Sequence, residues 1–419
     1  PAPKTIFKNI NKLKNGEFIT FDVQSNHILE KRIYWSPEQF IDYKKFDYEE
    51  FISIFDEAVK KRCVADVEIS AFLSGGLDST SILKKASEYL PSMHTFSVGF
   101  LDKQFDESYW AEMASNKFGI PNTLKKIDEN LLLEILPDSL DAYDEPFYDS
   151  SSIPTYLVSK LMSQTSKVAL SGDGGDELLG GYQRYTWSNY NSYIPFPLNT
   201  PLSFLSKLLI KSNFISQGTN QYLSMLNSSP KHRYESFFVD RNFTRILGVQ
   251  EFDYDFISNN WVETDDNFKS MQVTDYKFYL PEVMMTKVDR ASMANSLEIR
   301  SPFVDHKLIE YIMSVNSNGY TSTRDKKKPL KRYLNNEFEK EFLSRKKMGF
   351  AVPLEGWIKK ELRNEIFGTI DSETSFIKDK LNFNIEDLFK ELDKGNKSYK
   401  NRIWKLYVLE KCIQKYKKL

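Results

Sequence analysis

Two short segments carry residue types that could handle phosphate. Residues 71–80 read AFLSGGLDST, and residues 171–182 read SGDGGDELLGGY. In both, glycines and side-chain oxygens follow an apolar run and lead into a helical pattern. Glycines let backbone N–H groups approach an oxyanion, and a helix N-terminus adds partial positive charge there. Ser74, Ser79 and Thr80 can donate hydrogen bonds to phosphate oxygens. Asp78 would repel a phosphate, so its place beside the glycines suits a ligand for Mg²⁺, which bridges carboxylates to phosphates. The second loop adds Asp173, Asp176 and Glu177, and carboxylates from both loops could hold a metal between them. Taken alone, SGGLDST is also compatible with an ordinary strand-to-helix turn capped by Ser or Asp. It is not the GxxxxGKS/T phosphate loop, because no lysine follows its glycines. Lysines for the phosphates must come from elsewhere, and the basic stretch 324–347 is the obvious supplier, although such a run by itself reads as a solvated helical face.

The loops need elements to position them. VEISAFLS is a compact apolar strand, followed past the glycines by the helix STSILKKASEYL. The alternation repeats: strand HTFSVGF and helix DESYWAEMASNKF, then strand NTLKKI and helix ENLLLEILPDSLDAY. A further helix, SIPTYLVSKLMSQT, precedes strand KVALS. Such alternation predicts right-handed crossovers and a doubly wound, mainly parallel α/β sheet. With the first strand central and the crossovers running out to one side, the fourth strand must return to its other side. The loops after strands one and four then face each other across the crevice where ligands bind. Before the sheet, DYEEFISIFDEAVKKRCV predicts a helix with Asp47 as N-cap and Phe51, Phe55, Ala58 and Val59 on one face. Residues 1–36 read as three short strands, TIFKNI, EFITFD and RIYW, with Asn15-Gly16 as a hairpin signal. They bury no core of their own and are expected to pack on something else. Beyond Tyr182 the strand signals fade into helices and loops, with no internal repeat.

At 419 residues the chain is expected to hold two or three domains. A composition of 41% hydrophobic and 27% charged residues is globular, not disordered or membrane-like. A net charge of −1 gives no reason to expect nucleic acid or a membrane surface as partner. The aromatic residues of 187–270 and just before (Tyr185, Trp187, Tyr190) lack the interleaved basic residues of a base-stacking platform and are assigned to core packing. Two cysteines, Cys63 and Cys412, and four histidines make neither a disulfide framework nor a zinc site, which fits a reducing, cytoplasmic setting. No apolar stretch reaches the roughly 20 residues of a membrane span, and no signal peptide precedes the first strand. The chain starts at Pro1 without a methionine, so its true start is expected to lie upstream.

The loop SGGLDST after a strand resembles the pyrophosphate loop of the N-type ATP pyrophosphatases. SGDGGDELLGGY narrows the resemblance to the asparagine synthetase family of glutamine-dependent amidotransferases. TFSVGF, DEPFYDSSSIPTYLVS and TKVDRASMANSLEIRSPFVD match as well, and RKKMGFAVPLEGW resembles the family's late lysine-bearing segment. The resemblance runs from Pro1 to the C-terminal helices. It implies an adenine nucleotide alpha hydrolase-like α/β core over 47–186, a mainly helical part over 187–419, and a β remnant of a glutaminase domain over 1–36. The rest of that domain, with its N-terminal cysteine nucleophile, is absent, so the chain is expected to be a fragment that uses free ammonia. ATP and Mg²⁺ are the implied cofactors, with a small-molecule carboxylate and ammonia as substrates and a homodimer as the assembly.

Carried over residue by residue, Leu73 and Val98 resemble positions whose backbone contacts adenine. Ser74, Gly75, Gly76, Asp78 and Ser79 resemble the pyrophosphate and metal loop, and Ser171 and Gly172 resemble nucleotide contacts. Asp176 matches the second Mg²⁺ carboxylate. Asp173 stands where the best-studied members carry a glutamate, and its implied role is base for the incoming ammonium. Lys347 aligns with a lysine that neutralises the departing pyrophosphate. Arg300 and Asp305 could bind the substrate's α-carboxylate and amino group, or form a structural ion pair. Lys287 and Lys328 reach the phosphates or face water. Asp289 and Arg290 read as structural, and His94 and His306 as surface or packing residues. The usual LPDDIL reads LPEVMM here, with Val283 in place of an acid, and relatives usually show a histidine near Asn122–Thr123. The resulting expectation is aspartate-to-asparagine conversion through an acyl-adenylate. The alternatives are amidation of another carboxylate (a sugar acid, or closure of a lactam or peptide ring) and a non-catalytic nucleotide-binding module.

Overall fold

Four successive strands line up in one sheet: β3 (Ile69–Phe72), β4 (Thr95–Phe100), β5 (Asn122–Ile127) and β6 (Val168–Leu170). The computed structural model describes residues 1–188, 228–240, 243–244, 247–248, 255–345 and 351–417. All neighbouring pairs in this sheet are parallel, in the order β5-β4-β3-β6-β7. The first strand is therefore central, with β4 and β5 on one side and β6 on the other, as the alternation predicts. The register sets Ala71 beside Leu170, so the loops that follow β3 and β6 leave the same edge.

Both sheet faces are covered, the condition for a doubly wound fold. Val168 and Leu170 join one buried cluster, while Ala169 between them joins another. The first cluster holds α1 (Tyr48–Arg62) and α2 (Leu77–Ala86) through Phe51, Phe55, Val59, Ile82 and Leu83. Asp47 caps α1 as expected, accepting from the N–H groups of Glu49 at 2.8 Å and Glu50 at 3.1 Å. α3 (Ser108–Phe118), α4 (Glu129–Asp141) and α5 (Ser152–Met162) complete the crossovers. The C-terminal helix Ser398–Lys417 packs Ile403 and Tyr407 into one cluster with Leu132 and Ile135 of α4.

The structure departs from the sequence reading at four places. A fifth strand, β7 (Glu298–Arg300), extends the sheet beyond β6. Three residues with charged ends carry no strand signature; the open edge of β6 makes the strand. At the N-terminus there are two strands, β1 (Glu17–Asp22) and β2 (His27–Ile33), and the hairpin turns at residues 23–26, not at Asn15-Gly16. Gly16 instead lets the chain pass against Trp35, with the Tyr34 N–H donating to the Gly16 carbonyl at 2.8 Å. The segments flanking this exposed hairpin pack as expected: Asn15 donates to the Lys277 carbonyl at 2.9 Å, and Trp35 to Glu310 at 3.1 Å. Third, residues 267–293 form one helix whose middle, Asp275–Met285, is wound as a π-helix containing Pro281. Proline leaves the N–H-to-carbonyl ladder short of a donor, and the wider turn accommodates it. Fourth, Tyr185 is buried as assigned, whereas Trp187 is 42% exposed; Tyr190 lies outside the described residues. No described helix is long and apolar enough to cross a membrane.

Fully buried Phe55 stacks on Phe303, ring centroids 5.3 Å apart, and so ties α1 to the segment behind the second glycine loop. Phe55→Ala should destabilise the chain by about 3–5 kcal/mol in denaturant unfolding. A loss below about 1 kcal/mol would mean that this contact does not anchor the core.

Candidate active site

The strand ends dictate how the two loops meet. Leu73 is still held by the sheet: its N–H donates to the Phe96 carbonyl at 2.9 Å and its carbonyl accepts from the Ser97 hydroxyl at 2.6 Å. The chain then turns through Ser74–Gly76, with Gly76 as N-cap of α2. On the other strand, Ser171–Gly174 leads into α6 (Gly175–Leu179). A Cβ on Gly172 would lie 2.9 Å from the Ser79 nitrogen and 3.1 Å from the Asp78 Cβ, so the loops touch and only glycine fits between them. The convergence expected from the strand order is thus a direct contact.

Together the loops floor a cavity of about 790 Å³, a size suited to a nucleotide and a small second substrate. Lys327, 5% exposed, places its ammonium 2.5 Å from Asp78 Oδ2 and 2.6 Å from Asp176 Oδ1. Beside it, Lys326 donates to the Tyr182 carbonyl at 2.7 Å, and burial, then the Lys327 charge, pull its ammonium down to about 8. On the opposite wall, Lys287 from the long helix donates to Ser151 Oγ at 3.0 Å and lies 3.6 Å from Asp149. Burial opposes its charge, but Asp149 and Asp173 outweigh burial and hold it above the usual lysine range. Arg345 pairs with Glu107 at 2.7 Å and donates to the Gly75 carbonyl at 2.8 Å, which pins the first loop from behind. Burial, then the nearby Asp275, push fully buried Glu177 up to about 7, against a 2.7 Å hydrogen bond from the Tyr182 hydroxyl. Asp275 itself is paired with Arg184 at 2.7 Å.

The structure brings Ser74, Gly76, Asp78, Ser79, Ser171, Gly172, Asp173 and Asp176 to the cavity wall. Leu73, Gly75 and Val98 sit behind it in the strands and the turn and do not line it. Arg300 and Asp305 do not line it either, and they do not pair with each other. Arg300 pairs with Glu298 at 2.7 Å and donates to the Val64 carbonyl at 2.7 Å. Asp305 pairs with Arg62 at 2.8 Å and caps the helix His306–Ser314. Lys347 lies outside the described residues. Of the basic stretch, Arg324, Lys326, Lys327, Lys331 and Arg345 line the cavity, Lys331 paired with Asp325 at 2.6 Å, while Lys328 turns away to the Asn318 carbonyl at 2.7 Å. Asp149, Ser151, Lys327 and Arg345 are among the wall residues that spacing alone did not single out. The signals for Lys327 were its place in the basic stretch 324–347 and the proline two residues on, which marks a helix start.

The donor set fits Mg²⁺ that arrives with phosphates. Asp78 Oδ1 is buried with no hydrogen-bond partner among the described residues. No described group of three or more His, Cys, Asp or Glu could hold a metal alone. Two carboxylates with the remaining ligands from phosphate and water is the arrangement Mg²⁺ takes at nucleotides.

Glu177 yields a pH prediction. A carboxyl raised from 4.5 to about 7 binds more protons folded than unfolded. Its contribution is fully present below pH 4.5 and is lost as pH rises through about 7, up to about 3 kcal/mol. Glu177→Gln should therefore melt with a flatter pH dependence than the parent chain between pH 4.5 and 7.5. Superimposable profiles would show that this carboxyl titrates normally.

Comparison with known proteins agrees with this geometry. The asparagine synthase family model matches residues 50–414. A Mycobacterium tuberculosis chain whose name provisionally makes it a glutamine-hydrolysing asparagine synthetase is 27% identical over 97% of this chain and 64% of its own length. Glutamine-hydrolysing asparagine synthetase 1 of Bacillus subtilis is 28% identical over 89% of this chain and 60% of its own. The chain thus spans under two thirds of these relatives. A solved U34-tRNA thiolase of Methanococcus maripaludis is 15% identical with a TM-score of 0.23, over 59% of this chain and 79% of that one, too slight a likeness to argue from. With a family model covering most of its length and two touching glycine loops at the expected strand ends, this chain belongs to the asparagine synthase family.

Proposed function

We propose that the chain forms an amide from a carboxylate and ammonia at the expense of ATP, with aspartate as the acceptor and asparagine as product. The observation that carries this reading is the contact of the two loops, which puts Asp78, Asp176, Ser74 and Ser79 around one cavity. The substrate carboxylate oxygen attacks the α-phosphorus of ATP and pyrophosphate leaves. Ammonia then attacks the acyl carbon, AMP departs, and the nitrogen gives up a proton. Ser74, Ser79 and the first-turn N–H groups of α2 hold the β- and γ-phosphates. Asp78 and Asp176 would hold Mg²⁺, which neutralises phosphate charge when bound. Asp173 takes the ammonium proton, and Lys287 opposite it stays positively charged and steers anionic substrate groups. Lys347 is assigned to the leaving pyrophosphate by resemblance.

A second reading, amidation of another carboxylate, is favoured by the cavity's apolar wall of Tyr279, Met284, Phe342 and Leu343, and by this chain's departure from the family pattern at neighbouring Val283. Pyrophosphate–ATP exchange with a panel of carboxylates separates the two. Aspartate-dependent exchange supports asparagine formation. Exchange that ignores aspartate and answers to another acid moves the assignment to that acid, and no exchange with any acid would point to a nucleotide-binding module. Asp78→Ala should lower exchange on the order of a hundredfold; near-normal exchange would remove the metal role. Lys347→Ala should lower the rate of adenylate formation more than nucleotide affinity, and equal losses would indicate ground-state binding.

A further inference from the structure

The ammonium of Lys327 stands where a cation bound by both loops would stand. It lies within 2.6 Å of an oxygen of each acidic residue, one from each loop. Its backbone is held in the left-handed region at φ 53°, which a lysine adopts only under local constraint. The constraint is the start of the helix Lys328–Leu334: the Lys327 carbonyl accepts from Lys331 at 3.1 Å, and Pro329 follows. Gly181, which lacks a side chain, leaves the room that Asp176 and the Lys327 stem occupy. Of the three successive lysines, Lys326 binds the Tyr182 carbonyl of the second loop, Lys328 binds the Asn318 carbonyl, and Lys327 bridges the acids.

We propose that Lys327 is an internal counter-cation that holds the metal's place between Asp78 and Asp176 in the nucleotide-free chain. When nucleotide enters, the ammonium leaves the carboxylates for the phosphates and so frees both acids together. This rests on the ATP reading above. Its consequence is ordered, coupled binding. Without phosphates the ammonium rests on Asp78 and Asp176, and a divalent ion must compete with a covalently tethered one. By linkage, nucleotide raises metal affinity and metal raises nucleotide affinity by the same factor. The bridge also accounts for two carboxylates sharing a nearly dry floor, since removing the ammonium leaves like charges unpaired.

The test uses Mn²⁺, a spectroscopically visible ion that takes oxygen ligands in the same geometry, and the chain without nucleotide. Lys327→Met should bind Mn²⁺ about tenfold or more tightly than the parent chain by electron paramagnetic resonance titration. Its metal-free melting temperature should fall, and Mn²⁺ should restore it. Unchanged Mn²⁺ affinity overturns the proposal whatever the melting temperature does. If Lys327→Met does not fold, Asp176→Asn added to it should restore folding by removing one of the repelling charges. Failure of that rescue also overturns the proposal. Because no nucleotide is present, these results stand apart from the exchange assay, which alone decides the ATP reading.

Discussion

Two carboxylates that come from separate loops and share one ammonium are the arrangement on which this site depends. Like charges brought together at a buried floor need a cation between them, and here Lys327 supplies it. For the acids to meet one ion, the loops must touch, and Gly172 is the residue that permits it. The loops can touch only if their strands are neighbours, which β3 and β6 are. The demand for one shared cation therefore reaches from a side-chain nitrogen to the topology of the sheet.

The α/β half does not build the site alone. Lys287 arrives from the helix that runs through the π-wound segment, Lys327 from the start of a later helix, and Arg345 from the segment after that. Each sets a positive group against an acid or a carbonyl already fixed by the sheet. Phe303, behind the second loop, shares its cluster with Phe55 of α1, so the packing that stabilises the core also supports the loop. Positive groups on mobile ends would serve a phosphate poorly. Seated in or next to helices and paired with fixed acids or carbonyls, they are preorganised.

Much of this was legible from residue order. The alternation of apolar runs with helical patterns predicts the order of β3 to β6, because short strands joined by helices leave few ways to wind. Asp47 as a cap and Phe51, Phe55, Ala58 and Val59 as a buried face follow from helical periodicity, and the structure shows both. Other features were not legible for identifiable reasons. β7 is a strand only because β6 offers an open edge. Asn15-Gly16 has hairpin chemistry, but the register of β1 with β2 puts the turn elsewhere. Arg300 and Asp305 look like partners for a substrate, yet Arg62, Val64 and Glu298 reach them first.

Local chemistry is written in the chain itself. Glycines beside Ser and Asp after a strand predict a tight loop open to close backbone approach, the form a phosphate cradle needs, since backbone freedom and helix-start donors are properties of neighbouring residues. That much, together with the family resemblance, the sequence determined alone. Which lysine serves the cradle is another matter. Lys326, Lys327 and Lys328 are identical in type and adjacent in order, and nothing short-range distinguishes them. Only the folded chain does so. The left-handed turn at Lys327, set where a helix begins some 250 residues from Asp78 in sequence, puts one ammonium between the two acids, while Lys326 binds the Tyr182 carbonyl and Lys328 turns away. Charge pairing across such a separation is decided by tertiary structure because it depends on distance in space, which residue order does not encode locally.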